Sequence, residues 1–455
     1  MHGAGVSSRS GVAVFCLVFL PFALGHYLSC LLRGVNAVLT AELLGAIALT
    51  PAQLGLLTSA FFLAFALVQL PIGMALDRYG PRTVQLWLLA LAALGVWLFS
   101  RGHSFAELMW ARAMMGAGLG GCFMAAVKAI SCAIAPVRLP SVHGYLIAVG
   151  GLGAATATMP VKLALHYTDW RGVFLGLALA ALAIGLLIRL LSPVLPAPVV
   201  AMNKVSKVSK VSKVRVWSVY RDPGFRRTIA LILLPHTVFF GVQGLWVGRW
   251  LADVGGLSDV SVAYFLYLGM AAVIFGAIGM GMLTEWAGRR AIEPMQVAAA
   301  GIVLFVAVQV AMAFNVVPSL PMLSVLFTLL GTVTGLEYAI VAQSIPASLT
   351  GRAATCLNLL IFTGAFLVQA GFGLILGCWP LNSLQQYPPQ AYQVAFGVLA
   401  ALQLPGLAMF FIHRYRRAGP SGKMAACTAA MINSKEDYET RSLWTSRQGK
   451  TGPDR

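Results

Sequence analysis

The chain has 455 residues, of which 59% are hydrophobic and only 10% charged, against about 25% charged in an ordinary soluble domain. That is too little polar surface to coat a soluble protein of this length, which excludes a cytosolic enzyme, a disordered chain and a collagen-like one. Twelve apolar helices of about 20 residues fit within the composition, so the expected class is an all-α integral membrane protein.

In chain order, residues 1–10 form a short polar start, and apolar runs predict spans at 11–35, 53–76, 84–100, 105–133, 141–165 and 172–192. A polar stretch, 193–227, separates these from runs at 228–250, 260–283, 294–315, 321–347, 354–379 and 393–413. The expected organisation is an N-terminal six-helix bundle over 11–192, a cytoplasmic linker over 193–227, a C-terminal bundle over 228–413 and a basic, disordered tail over 414–455. The run from Gly11 is too long for the apolar core of a signal peptide and leads straight into further spans, so it is read as retained.

The net charge of +18 is concentrated. The linker carries eight Lys/Arg against one acid, and the tail nine against four. The linker also holds a triplet repeat, Val205-Ser-Lys-Val-Ser-Lys-Val-Ser-Lys213, whose period suits neither a helix face nor a strand face. A flexible polybasic strap against anionic lipid head groups is expected there, not a folded surface for nucleic acid. Only Arg101, Arg171 and Arg249 fall in the opposite connections, so the positive-inside rule puts both termini in the cytoplasm. No Asn-x-Ser/Thr sequon occurs and the outer loops are short, compatible with a plasma membrane of bacterial inner-membrane type. Six of the seven cysteines lie in or beside apolar runs without CxxC spacing or a Cys/His cluster, so no disulfide framework, metal or cofactor is expected.

Two connections repeat each other. Gly73, Asp77, Gly80 and Arg82 after the second span recur as Gly281, Glu285, Gly288 and Arg290 after the eighth, each exactly matched in kind except for the acid and each displaced by 208 residues. A duplicated six-helix unit explains this, and internal symmetry is a mark of transporter folds. With these loops, the sequence resembles the major facilitator superfamily over nearly all of residues 11–415. That family's loop signature is G-x-x-x-D-[RK]-x-G-x-[RK], and its R-x-x-x-G-x-G pattern on helix 4 matches Arg112, Gly116 and Gly118. The resemblance implies twelve transmembrane helices in two pseudo-symmetric bundles that rock about a central site. It also implies a conformational latch built from Asp77, Arg78, Arg82, Arg112, Glu285 and Arg290. Asp77 would face the start of span eleven near Arg352, and Glu285 the start of span five near Ser141. The family's antiporter motif is absent: Gly150-Gly-Leu-Gly153 continues to Pro160 without a Gly-Pro pair, which favours symport or uniport.

Ionisable residues at membrane depth are costly and usually line a pathway. Arg33, with Asn36 one turn later, lies toward the outer part of span one, and Lys128 toward the inner end of span four. Cations outnumber acids at this depth, so an anionic substrate is expected, held by Arg33 and Lys128. Arg112 lies sixteen residues before Lys128, about 24 Å along a helix, and cannot share a small ligand with it. Arg33 and Lys128 could instead snorkel to the two interfaces. Glu337 follows Gly331 and Gly335 near the centre of span ten and is the candidate for proton coupling, with a permanent Arg or Lys ion pair as the alternative. Gln243 and Trp246 on span seven are further pocket candidates, while His143 and His236 are read as structural. The leading expectation is proton-coupled symport of a small organic anion by a monomer. Export of drugs or metabolites by proton antiport, and a non-transporting receptor that keeps the fold, are the alternatives. No catalytic constellation sits at plausible spacing, so no enzymatic activity is expected.

Overall fold

The computed structural model describes residues 15–47, 49–134, 139–193, 217–314, 319–345, 350–382 and 386–418. The N-terminal ten residues, the lysine repeat of the linker and the tail beyond 418 lie outside the described residues, as do the side chains of Asp77, Ser141, His143 and Arg352. Every described element is helical. That is what lipid demands, because a helix satisfies its own backbone polar groups where no water can.

Ten described helices are long and apolar enough to cross a membrane. An eleventh crossing is made if Pro51–Leu67 and Gln69–Leu76, bent by 42° at Val68, count as one span. The expected span at 141–165 is divided into Leu139–Thr156 and Met159–Ala164 by a break at Ala157–Thr158. Its shorter apolar piece, Gly144–Thr156, is why twelve expected spans become ten or eleven long ones. Numbering the expected crossings in order, span 1 is Phe15–Ala37, span 2 Pro51–Leu76, span 3 Arg78–Arg101, span 4 Phe105–Ala133 and span 6 Trp170–Leu191. Span 7 is Pro223–Asp253, span 8 Asp259–Gly288, span 9 Pro294–Phe314, span 10 Leu320–Val341, span 11 Ala353–Leu376 and span 12 Pro389–Ile412.

Helix starts are written locally. Thr50 and Gln53 form a reciprocal capping box ahead of Pro51. Asp169, Asp222 and Ser258 each accept a backbone N–H from the residue three positions on, opening spans 6, 7 and 8. Large apolar side chains such as Trp87, Trp110, Leu190 and Phe275 are exposed, which suits a surface facing acyl chains.

The described residues up to Gln403 form one compact unit. Within it, one buried core draws on residues between Val18 and Ile188 and takes only Phe362 and Ala365 from later in the chain. A second draws on residues between Val238 and Leu399 and takes only Ala37, Val38 and Leu54 from earlier. The unit Leu404–Arg455 is described only through the end of the last helix, which closes at Ala418.

The helix-4 pattern has a packing meaning. A methyl on Gly116 would collide with the Phe61 backbone of span 2, and one on Gly118 with the Ala92 backbone of span 3. Arg112, four residues before Gly116, reaches span 1. Span 4 therefore binds spans 1, 2 and 3 through three of its residues, two of which have no side chain.

Candidate substrate cavity

Span 1 leaves α-helical pitch at Gly34 and continues as a 3₁₀ turn, Val35–Ala37. The carbonyls of Leu32 and Arg33 at this break accept from Arg112 Nη1 at 2.7 Å and Nη2 at 3.2 Å. Arg112 is fully buried and its guanidinium stands 4.9 Å over the Phe61 ring. It braces the backbone that carries Arg33; no described acid joins it.

Arg33 itself lines a cavity of about 330 Å³. His26, Cys30, Arg33 and Ala37 contribute from span 1, where spacings of four, three and four residues put them on one face. Spans 2, 5, 7, 8 and 10 complete the walls with, among others, Phe62, Gly150, His236, Gln243, Met270 and Gly335. The Arg33 guanidinium sits 4.9 Å over the Phe240 ring and reaches Cys30 Sγ at 3.6 Å. No described carboxylate forms an ion pair with it.

Against the same Phe240 ring lies His236, whose Nδ1 is 2.9 Å from Glu337 Oε2. His236 lines the cavity and stacks on Phe240, whereas Glu337 is fully buried behind it, with Oε1 unpartnered among the described residues. The partner of Glu337 is thus a histidine, not the Arg or Lys the sequence left open. His236, read as a structural hydrogen-bonding residue, makes such a bond and also belongs to the wall of the cavity.

The other expected contacts divide. Gln243 lines the cavity, its Oε1 accepting from Thr328 at 2.8 Å. Lys128 is not part of this lining; its Nζ donates to the Leu76 carbonyl at 2.8 Å, at the end of span 2. Span 4 is interrupted at Gly120–Gly121, between Arg112 and Lys128, and the long lysine stem carries its charge to a neighbouring backbone. Asn36 is fully buried outside the lining, with neither amide atom partnered among the described residues. Trp246 is also buried; it stacks on Phe372 and donates through Nε1 to the Gln369 carbonyl at 2.9 Å. It fixes span 7 to span 11 instead of facing the cavity.

In the first loop, Arg82 donates to the Arg189 carbonyl at the end of span 6, and Arg78 lies 5.1 Å over the Tyr79 ring. In the second, Glu285 pairs with Arg289 on its own helix at 2.7 Å, both well exposed, and Arg290 covers Trp286 at 3.9 Å. Glu285 therefore meets its own helix where the start of span five was expected. At the other end of the spans, Lys162 Nζ bridges Glu42 at 2.7 Å and Asp259 at 3.2 Å, tying span 5 to the helix after span 1 and to the start of span 8. His26, His236 and Lys162 were missed as functional candidates. The four-residue step from His26 to Cys30 and the three-residue step to Arg33 were the one readable signal. Among the described residues, no three His, Cys, Asp or Glu gather to hold a metal ion.

A sequence profile described as Major Facilitator Superfamily matches residues 15–369. The chain belongs to the major facilitator superfamily. It is 28% identical over 171 residues to the probable sulfoacetate transporter SauU of Cupriavidus necator, covering 38% of each chain. It is 26% identical over 307 residues to the probable L-galactonate transporter of Escherichia coli, covering 63% of this chain and 64% of that one. Both matches span less than two thirds of the relative's own length. Among solved structures, a bacterial homologue of the human lysosomal transporter Spinster, in an inward-facing and unoccupied conformation, superposes with a TM-score of 0.68 at 17% identity, covering 89% of this chain and 97% of that one. This superfamily member is a multi-pass membrane protein.

Proposed function

We propose that the chain is a secondary transporter of a small organic anion, working by alternating access with a coupled proton. The observation that carries this reading is Arg33, a guanidinium in the wall of an apolar cavity with no described carboxylate beside it. An uncompensated charge in such a place is costly unless a ligand completes it, and a guanidinium presents a planar fork to a carboxylate or sulfonate. The transported anions in the names of the two relatives agree with this chemistry. Arg33 and Gln243 are the proposed substrate contacts.

His236 and Glu337 are the proposed coupling pair. His236 faces the cavity and can exchange a proton with it, while Glu337 behind supplies the compensating charge. The Lys162 bridge would close the outer side of the cavity, with both termini in the cytoplasm and the polybasic linker and tail beside anionic lipid. A plasma membrane of bacterial inner-membrane type and a monomeric state complete the proposal.

The test is uptake by the full chain in liposomes. Arg33→Gln should cut anion uptake by more than tenfold, and Arg33→Lys should restore part of it. Undiminished uptake in Arg33→Gln would sink the anion reading. Glu337→Gln should retain substrate exchange while losing substrate-driven proton uptake; normal proton uptake there removes Glu337 from the coupling step. The apolar lining favours a second reading, export of amphipathic compounds, which predicts transport of a lipophilic cation independent of Arg33.

A further inference from the structure

The cavity is specific about what surrounds the charge. Beside Arg33, its wall carries the rings of Phe62, Phe239 and Phe240 and the apolar side chains of Leu266, Met270 and Val273. Gly244, Gly331 and Gly335 offer side-chain-free surface, and a Cβ added at Gly335 would meet nothing within 4 Å. Hydrogen-bonding capacity is scarce. The hydroxyls of Thr158, Thr332 and Thr334 all donate to carbonyls of their own spans, those of Ala155, Leu329 and Gly331. The carbonyl oxygen of Gln243 accepts from Thr328 and His236 Nδ1 is engaged by Glu337, which leaves the Gln243 amide nitrogen, the other His236 ring nitrogen, His26 and Cys30 as the neutral side-chain partners in the wall.

A polyhydroxylated acid entering this space would give up water around every hydroxyl and recover few partners. Each unmatched hydroxyl weakens binding on the order of tenfold. A flat ring loses nothing of the kind. It would pack against Phe239 and the apolar side chains of Leu266, Met270 and Val273, and its anionic group would meet Arg33, whose guanidinium stands over Phe240 while His236 stacks on that same ring. We infer that the cargo is a monoanion built on an aromatic ring, an aromatic carboxylate or sulfonate, and that the cavity discriminates against sugar acids. This rests on the anion-transport reading and narrows it, away from the polar substrates in the relatives' names.

The test uses 4-toluenesulfonate, whose permanent charge keeps it from crossing lipid unaided, with gluconate as the polyol and methanesulfonate as the head group alone. Binding to the purified full chain is read by thermal shift and calorimetry, and transport by uptake into liposomes. 4-Toluenesulfonate should bind at least about tenfold more tightly than gluconate. Gly335→Leu should weaken 4-toluenesulfonate by about tenfold and leave methanesulfonate little changed. Gly335→Ala, a single methyl into open space, keeps the comparison readable should the leucine variant fail to fold. Gluconate binding as tightly as 4-toluenesulfonate overturns the aromatic assignment, and so does an unchanged affinity in both Gly335 variants. Both leave the anion reading standing if Arg33→Gln still abolishes binding. Transport of tetraphenylphosphonium with no binding of any of the three anions overturns both.

Discussion

The two halves of the chain share a plan and differ in how it is fastened. Shifted by 208 residues, the 3₁₀ turn Val35–Ala37 of span 1 falls within the π-helical turn Val242–Trp246 of span 7. Both symmetry-related spans therefore break at the same depth, and both carry cavity residues at the break. Elsewhere the symmetry lapses. Span 2 bends at Val68 and span 5 is interrupted at Ala157–Thr158, while their counterparts, spans 8 and 11, run unbroken. The charges are also segregated: the first half supplies Arg33, the second the His236–Glu337 pair. A duplicated frame thus carries different charges in its two halves, and Arg33 and His236 meet at the shared ring of Phe240; on the proposed reading the first half binds the anion and the second handles the proton.

The packing glycines give the sharpest way to test that asymmetry. Gly118→Val should have the largest effect, because its Cβ would strike the Ala92 backbone, which cannot swing aside as a side-chain tip would. Overpacking of this kind costs about 1–3 kcal/mol or more. Loss of monodisperse protein or a strongly lowered melting temperature in detergent is the expected result. Gly279→Val, on span 8, meets nothing within 4 Å and should change the melting temperature little. Equal damage from the two would mean that span 4 is not the hub of the first half.

Much of this was open to reading from the chain itself. Apolar runs located most spans to within a few residues, because a membrane helix must be long and continuous. The paired loops located the duplication, because Gly, an acid and Arg recur at one offset. The break at Val35–Ala37 had only Gly34 to announce it, and a lone glycine in an apolar run does not distinguish a change of pitch from close packing. The His236–Glu337 pair was hidden by its sequence separation of 101 residues, which no local pattern encodes. Lys128 was placed with Arg33 because both are basic and deep, but depth does not fix azimuth. The break at Gly120–Gly121 and a flexible stem sent its charge to Leu76 instead.

The two loops offer a second, smaller contrast. Gly80 holds φ at 77° with ψ at 162°, a conformation open essentially to glycine alone, and Pro81 follows it. Gly288, its counterpart, ends span 8 without a positive φ, and the left-handed residue of that loop is Ala291 at φ 59°. Gly80→Ala should therefore cost about 1–2 kcal/mol, whereas Gly288→Ala should be neutral or stabilising by up to about 1 kcal/mol. Melting temperatures of the two variants check this directly, and equal losses would contradict the assigned turn geometries.

The acid of the second loop should matter least. Glu285 and Arg289 are four residues apart on one helix and both strongly exposed, and such pairs contribute no more than about 0.5 kcal/mol. Glu285→Gln should leave both melting temperature and uptake near wild type in this arrangement. Arg82 differs, since its guanidinium joins the first loop to the Arg189 carbonyl at the end of span 6. If the latch implied by the family resemblance acts mainly through the first loop, Arg82→Gln should slow uptake several-fold more than Glu285→Gln. A larger loss from Glu285→Gln would mean that its carboxylate changes partner during the transport cycle, leaving Arg289 for the start of span 5, and the two loops would then be equal members of one latch.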